Sequence, residues 1–120
     1  MKLPCEMAVW YVLPVVRKDL AKELAKSKMS QRKIASLFGV SEAAISQYIQ
    51  GKRGRGIRLG KMAYSSVEDL AKDILKEDMG AEKIAERICY ICMVAKKEES
   101  ACKIHKDKFG APSDCSMCLR

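Results

Sequence analysis

A chain of 120 residues is long enough for one domain, or for one small domain with an appended module. Its 23 Lys+Arg against 15 Asp+Glu leave a net charge of +8, which favours a polyanionic partner. No apolar run approaches the ~18 residues of a membrane span, and Glu6 and Pro14 interrupt any signal-peptide core, so no membrane partner and a cytoplasmic location are expected. The charge is unevenly spread. Residues 1–61 hold 13 Lys+Arg against 4 Asp+Glu, a balance of +9, while residues 62–120 hold 10 against 11, a balance of −1.

The first ordered pattern is an apolar run from Met7 to Leu13. Pro14 then opens or kinks a helix expected over Val15 to Lys26, because proline is tolerated only in a first turn. Val16, Leu20, Ala21 and Leu24 form its inward stripe, with Arg17, Lys18, Lys22 and Lys26 pointing out. This helix is expected to pack under the segment that follows it.

That segment is SQRKIASLFGVSEAAISQYIQGKRG, from Ser30 to Gly54. Ser30 suits an N-cap, since its hydroxyl accepts an orphan N–H of the first turn. Ile34, Ala35, Leu37 and Phe38 share one face of the short helix after it, and Gly39 ends that helix where a positive φ is needed. Ser41 caps a second helix running to about Gln50, which Gly51 stops. Ala44, Ile45, Tyr48 and Ile49 take one side of it. Glu42, Ala43, Ser46, Gln47 and Gln50 take an arc of roughly 140° on the other. A helix with an apolar anchor and a face of small and amide side chains is suited to a major groove.

The spacing Ala35-x3-Gly39-x5-Ile45, with Ile34, Val40 and Tyr48 at further apolar positions, resembles the helix-turn-helix of the lambda-repressor/Cro-like (XRE) superfamily. In that motif a small residue lets the helices touch, a glycine makes the turn, and a branched aliphatic fills the gap. Leu3-Pro4-Cys5-Glu6 together with Leu13-Pro14 is also similar to the opening of a group of archaeal XRE-type regulators that end in a cysteine cluster. The resemblance implies an all-α, lambda-repressor-like helix-turn-helix bundle followed by a small helical, cysteine-rich metal-binding module.

Gly51-Lys52-Arg53-Gly54-Arg55-Gly56 places three cations on a glycine-rich backbone, suited to phosphate contacts. Residues 57–64 read as a linker between a DNA-binding domain (1–56) and the C-terminal module (65–120). Ser65 or Ser66 is expected to cap a helix to about Lys76, with Val67, Leu70, Ala71, Ile74 and Leu75 as its stripe. A third pattern, Ala81 to Ala95, brings Ile84, Ala85, Ile88, Ile91 and Cys92 to one side.

Five of the six cysteines, with the single histidine, follow the order Cys89-x2-Cys92-x9-Cys102-x2-His105-x9-Cys115-x2-Cys118. Ligands three residues apart close on one metal ion from a single turn, and reduced cytosolic thiols disfavour disulfides. Cys89, Cys92, Cys115 and Cys118 make a four-thiolate set, with Cys102 and His105 as further candidates; C-x2-C-x9-C-x2-H alone is also a zinc-like set. Cys5 is either a core thiol or an added ligand. The apolar helix around the first pair, the lack of a glycine after either C-x2-C, and the surplus of ligands favour an iron–sulfur cluster over Zn2+.

The expected function is a sequence-specific DNA-binding transcriptional regulator. It would bind a palindromic operator in double-stranded DNA as a homodimer, because one short helix reads too few base pairs. Glu42, Ala43, Ser46, Gln47 and Gln50 are the candidate base contacts, and Gln31, Arg32, Lys33, Lys52, Arg53 and Arg55 the phosphate contacts. Glu42 is the awkward member, being an anion beside phosphates. A protein–protein adaptor to the transcription machinery is the alternative, and a thiol redox protein a third reading. No Ser/His/Asp set or carboxylate pair points to an enzyme or to a small-molecule substrate.

Overall fold

The structure is a computed structural model that describes residues 11–53 and 58–97. These residues are all-helical: α1 (Leu13–Lys26), α2 (Gln31–Phe38), α3 (Glu42–Ile49), α4 (Lys61–Lys76) and α5 (Ala81–Lys96). No strand occurs among the described residues.

Pro14 sits in the first turn of α1, where its missing N–H breaks no helical bond, so the helix opens at Leu13 rather than at Val15. Val15 thereby joins Val16, Leu20, Ala21 and Leu24 in the buried stripe. Lys26 is exposed as expected, but Arg17, Lys18 and Lys22 are half-buried, because α1 is flanked by four other helices.

Each of the four later helices begins in the same way. An apolar residue precedes the N-cap and a second stands at the fourth helical position: Met29 with Ile34, Val40 with Ile45, Leu59 with Tyr64, and Met79 with Ile84. This is the hydrophobic-staple spacing, which directs the incoming chain along the core. For α2 and α3 a serine cap accompanies it. For α4 and α5 the caps are Gly60 and Gly80, with no side-chain hydrogen bond.

That difference corrects the expected start of the fourth helix. It begins at Lys61, not beside Ser65 or Ser66, so residues 61–64 of the expected linker are helical. Ser66 is held inside the helix by donating from Oγ to the Met62 carbonyl oxygen at 3.1 Å, which satisfies the hydroxyl without a cap. The buried stripe also extends back one turn to Ala63.

One core runs through all five helices, with Leu20, Leu24, Ile34, Ile45, Leu70, Ile84 and Ile91 fully enclosed. At about 1.5–3 kcal/mol for each large aliphatic buried, this core is the main favourable term. α1 packs on every other helix, α4 packs on α1 and α5, and α5 returns against α2. Two stripe assignments are corrected. Leu75 is 45% exposed, because it lies a further 100° or so around α4 from Ile74 and overhangs the edge of the stripe. Ala85 is exposed while Ala95 is buried, and Ile88 and Cys92 are only half-buried, so the inward face of α5 centres on Ile84, Ile91 and Ala95.

Candidate nucleic-acid interface

The α2–α3 pair is built by local chemistry. Ser30 Oγ accepts from the Lys33 amide at 3.1 Å and Ser41 Oγ from the Ala44 amide at 3.1 Å, each satisfying an orphan donor of the first turn. Gly39 stands at φ 68°, with the Val40 amide donating to the Ala35 carbonyl and the Gly39 amide to that of Ser36. That is the Schellman pattern. Gly51 repeats it at φ 77°, with the Lys52 amide donating to Gln47 and the Gly51 amide to Tyr48. An added Cβ would meet nothing within 4 Å at either glycine, so φ alone selects the residue type.

α3 is anchored from within. Ile45 is fully buried, Tyr48 and Ala44 nearly so, and Ile49 is half-buried, with the helix packed against α1 and α2. Ala35, 4% exposed, supplies the small surface of α2 in this core. The opposite side of α3 is open: Glu42, Ala43 and Gln50 are exposed, Ser46 and Gln47 half-buried. Gln50 Nε2 donates to Ser46 Oγ at 3.1 Å, so these two side chains form a unit. Glu42 occupies the first position of α3, where its charge complements the helix N-terminus. This places the awkward carboxylate at a favourable site on its own helix.

The cations sit at both ends of the pair. Gln31, Arg32 and Lys33 are exposed in the first turn of α2, and Ser30, Arg32, Lys33 and Ser36 bound a shallow depression there. Lys52 and Arg53 are exposed just beyond α3. Arg55 lies outside the described residues.

Of the candidate metal ligands, only Cys89 and Cys92 fall among the described residues; Cys5, Cys102, His105, Cys115 and Cys118 lie outside them. Cys89 is exposed and Cys92 half-buried, one turn apart on α5. Burial, and secondarily Cys89, push the Cys92 thiol up to about 11, against the opposing pull of Lys96 and Arg17. No group of three or more His, Cys, Asp or Glu side chains able to hold a metal occurs among the described residues. The two thiols fit half of a tetrahedral set and no more.

Arg17 is the residue that the sequence reading missed. Helical spacing points Arg17 to solvent, yet it lines a groove shared with Phe38 and Cys89. Nothing in the pattern around it signals this, because the groove is made by α2 and α5. No family model, curated protein or solved structure matches the chain.

Proposed function

We propose that this chain is a sequence-specific DNA-binding transcriptional regulator, with α2 and α3 acting as the helix-turn-helix of a lambda-repressor-like bundle. One observation carries the reading. α3 is locked by Ile45 and Tyr48 from inside and offers an outward face of small, hydroxyl and amide groups, with exposed cations at Arg32, Lys33, Lys52 and Arg53 flanking it. Amides bond bidentately to adenine and the flanking cations pair with phosphates, which is the division of labour such an interface needs. Ser46, Gln47 and Gln50 are the base readers, Ala43 the close-approach position, and Glu42 either accepts from a cytosine amine or serves its own helix. A homodimer reads a palindrome with two copies of α3.

Cys89 and Cys92, completed by two of Cys102, His105, Cys115 and Cys118, would hold an iron–sulfur cluster or Zn2+. When bound, that centre cross-links α5 to the chain after it and makes the fold sensitive to metal supply or oxidation. A half-buried thiol raised by burial is a poor nucleophile, which speaks against a redox enzyme.

Selection of bound fragments from random DNA tests the function. Enrichment of one palindromic sequence is the expected outcome. Recovery of fragments without sequence preference, with salt-sensitive weak binding, would leave the adaptor reading in its place; Met62, Leu75, Tyr90 and Met93 are the large apolar side chains exposed among the described residues.

A further inference from the structure

Cys89, Cys92 and Met93 stand at positions i, i+3 and i+4 in the second half of α5. On an α-helix the later two flank the first: Cys92 lies about 60° to one side of Cys89 and Met93 about 40° to the other. Their Cβ atoms are each about 5–6 Å from that of Cys89. Long side chains on a helix lean back toward its N-terminus, which carries the Met93 thioether over Cys89. The three sulfurs also differ in depth. Cys92 is half-buried, Cys89 exposed and Met93 53% exposed, so the patch runs from the edge of the core into solvent.

This donor set is soft and small. Two thiols and a thioether suit a polarisable ion, and among the described residues no third cysteine, histidine or carboxylate joins the pair. Zinc asks for four ligands. Cu(I) is satisfied by two thiolates, alone or with a third soft donor, because the first thiolate already neutralises its single charge. The neighbouring charges point the same way. Arg17 of α1 and Lys96, one turn beyond Cys92, both act on the Cys92 thiol, and the groove that Cys89 lines has no acidic side chain. Two thiolates around a monovalent ion leave one negative charge, which these cations stabilise. Around a divalent ion they leave none, and the cations add nothing.

We infer that Cys89, Cys92 and Met93 form a site for a single Cu(I) ion, complete within about one turn of α5. Both thiols release their protons to solvent and coordinate as thiolates, and Met93 Sδ adds a weaker third bond. The ion keeps its oxidation state, and no ligand from outside α5 is needed. The inference does not rest on the DNA-binding reading. It draws on the same two thiols as the four-coordinate centre proposed above, so one chain holds one centre or the other.

The test uses the full, reduced chain without oxygen, given one equivalent of Cu(I) and pulsed with N-ethylmaleimide, each cysteine being followed by peptide mapping against the metal-free chain. The expected result is alkylation of Cys89 and Cys92 slowed at least tenfold, with the other four cysteines unchanged. Protection of other cysteines in their place, or of a further cysteine along with the pair, overturns the self-contained site. An increase in mass on copper loading, read by sedimentation, overturns it in favour of an ion shared between chains. Competition with the Cu(I) chelator bicinchoninate then grades the ligands. Met93→Leu, at an exposed position and of similar volume, should weaken binding roughly tenfold, and Cys89→Ser by roughly a hundredfold or more. Unchanged affinity in either variant overturns the three-sulfur assignment. The same mapping with Zn2+ judges the four-coordinate reading separately: zinc that protects other thiols without the α5 pair overturns that reading and leaves the copper result standing.

Discussion

Gln50 and Ser46 are coupled by a hydrogen bond, while Gln47 makes none among the described residues. The bond uses one of the two Nε2 protons of Gln50 and leaves the other, with Oε1, for an adenine edge. Gln47 is therefore the cleaner test of base reading, since nothing in the fold depends on its amide. Gln47→Ala is expected to cost about 1–3 kcal/mol on the selected operator and to relax preference at one base pair, measured by titration against single-base variants. Equal loss on every sequence would remove it from the base readers. Arg53→Ala belongs to the other class. It should weaken all sequences alike and lower the slope of log affinity against log salt by about 1; an unchanged slope excludes a phosphate contact there.

At the scale of the element, three successive helices end in one pattern. α1 closes with the Met29 amide on Leu24 and the Lys28 amide on Ala25, and Lys28 stands at φ 67° where α2 and α3 use Gly39 and Gly51. A lysine Cβ in the left-handed region is strained; a glycine there is not. Lys28→Gly should raise stability by roughly 0.5–1 kcal/mol, and Gly39→Ala should lower it by about 1 kcal/mol, read from denaturation midpoints at unchanged slope. If the two substitutions shift the midpoint in the same direction, backbone conformation is not the controlling term. These ends were legible in advance at Gly39 and Gly51, because glycine advertises positive φ. Nothing in Lys28 does. The helix starts divide the same way: Ser30 and Ser41 announced themselves, whereas Gly60 and Gly80 did not, their starts being marked only by Leu59 and Met79 entering the core.

Across the whole molecule, α4 is tied to α1 by Tyr64 Oη donating to Glu23 Oε1 at 2.8 Å, and to α5 by Arg87 and Asp73 at 2.8 Å. The second pair is substantially exposed and contributes little. The first is part-buried, and Tyr64→Phe should cost about 1 kcal/mol. It also carries a pH signature. The bond to Glu23, with burial and the surrounding carboxylates, raises the phenol from 10.0 to about 12. A folded pKa above the unfolded one means that the contribution is complete below pH 10 and is lost as pH rises toward 12. Thermal melts from pH 9 to 12 should show the wild-type advantage over Tyr64→Phe disappearing across that window. A constant advantage would mean that the bond does not control the titration.

The sequence alone determined the parts whose causes lie within four residues: the all-helical class, the serine caps, the two glycine turns, and which side of α3 is apolar. Capping and φ selection are local, so Ser30, Gly39, Ser41 and Gly51 carry their own explanation. Only the tertiary structure decided where α4 begins, that Leu75 and Ala85 face outward, that one core joins α1–α3 to α4 and α5, and that Arg17 faces a groove beside Cys89. Each of these depends on which helix arrives as a neighbour. Burial is a property of the assembled pair, and no periodicity within one helix contains it.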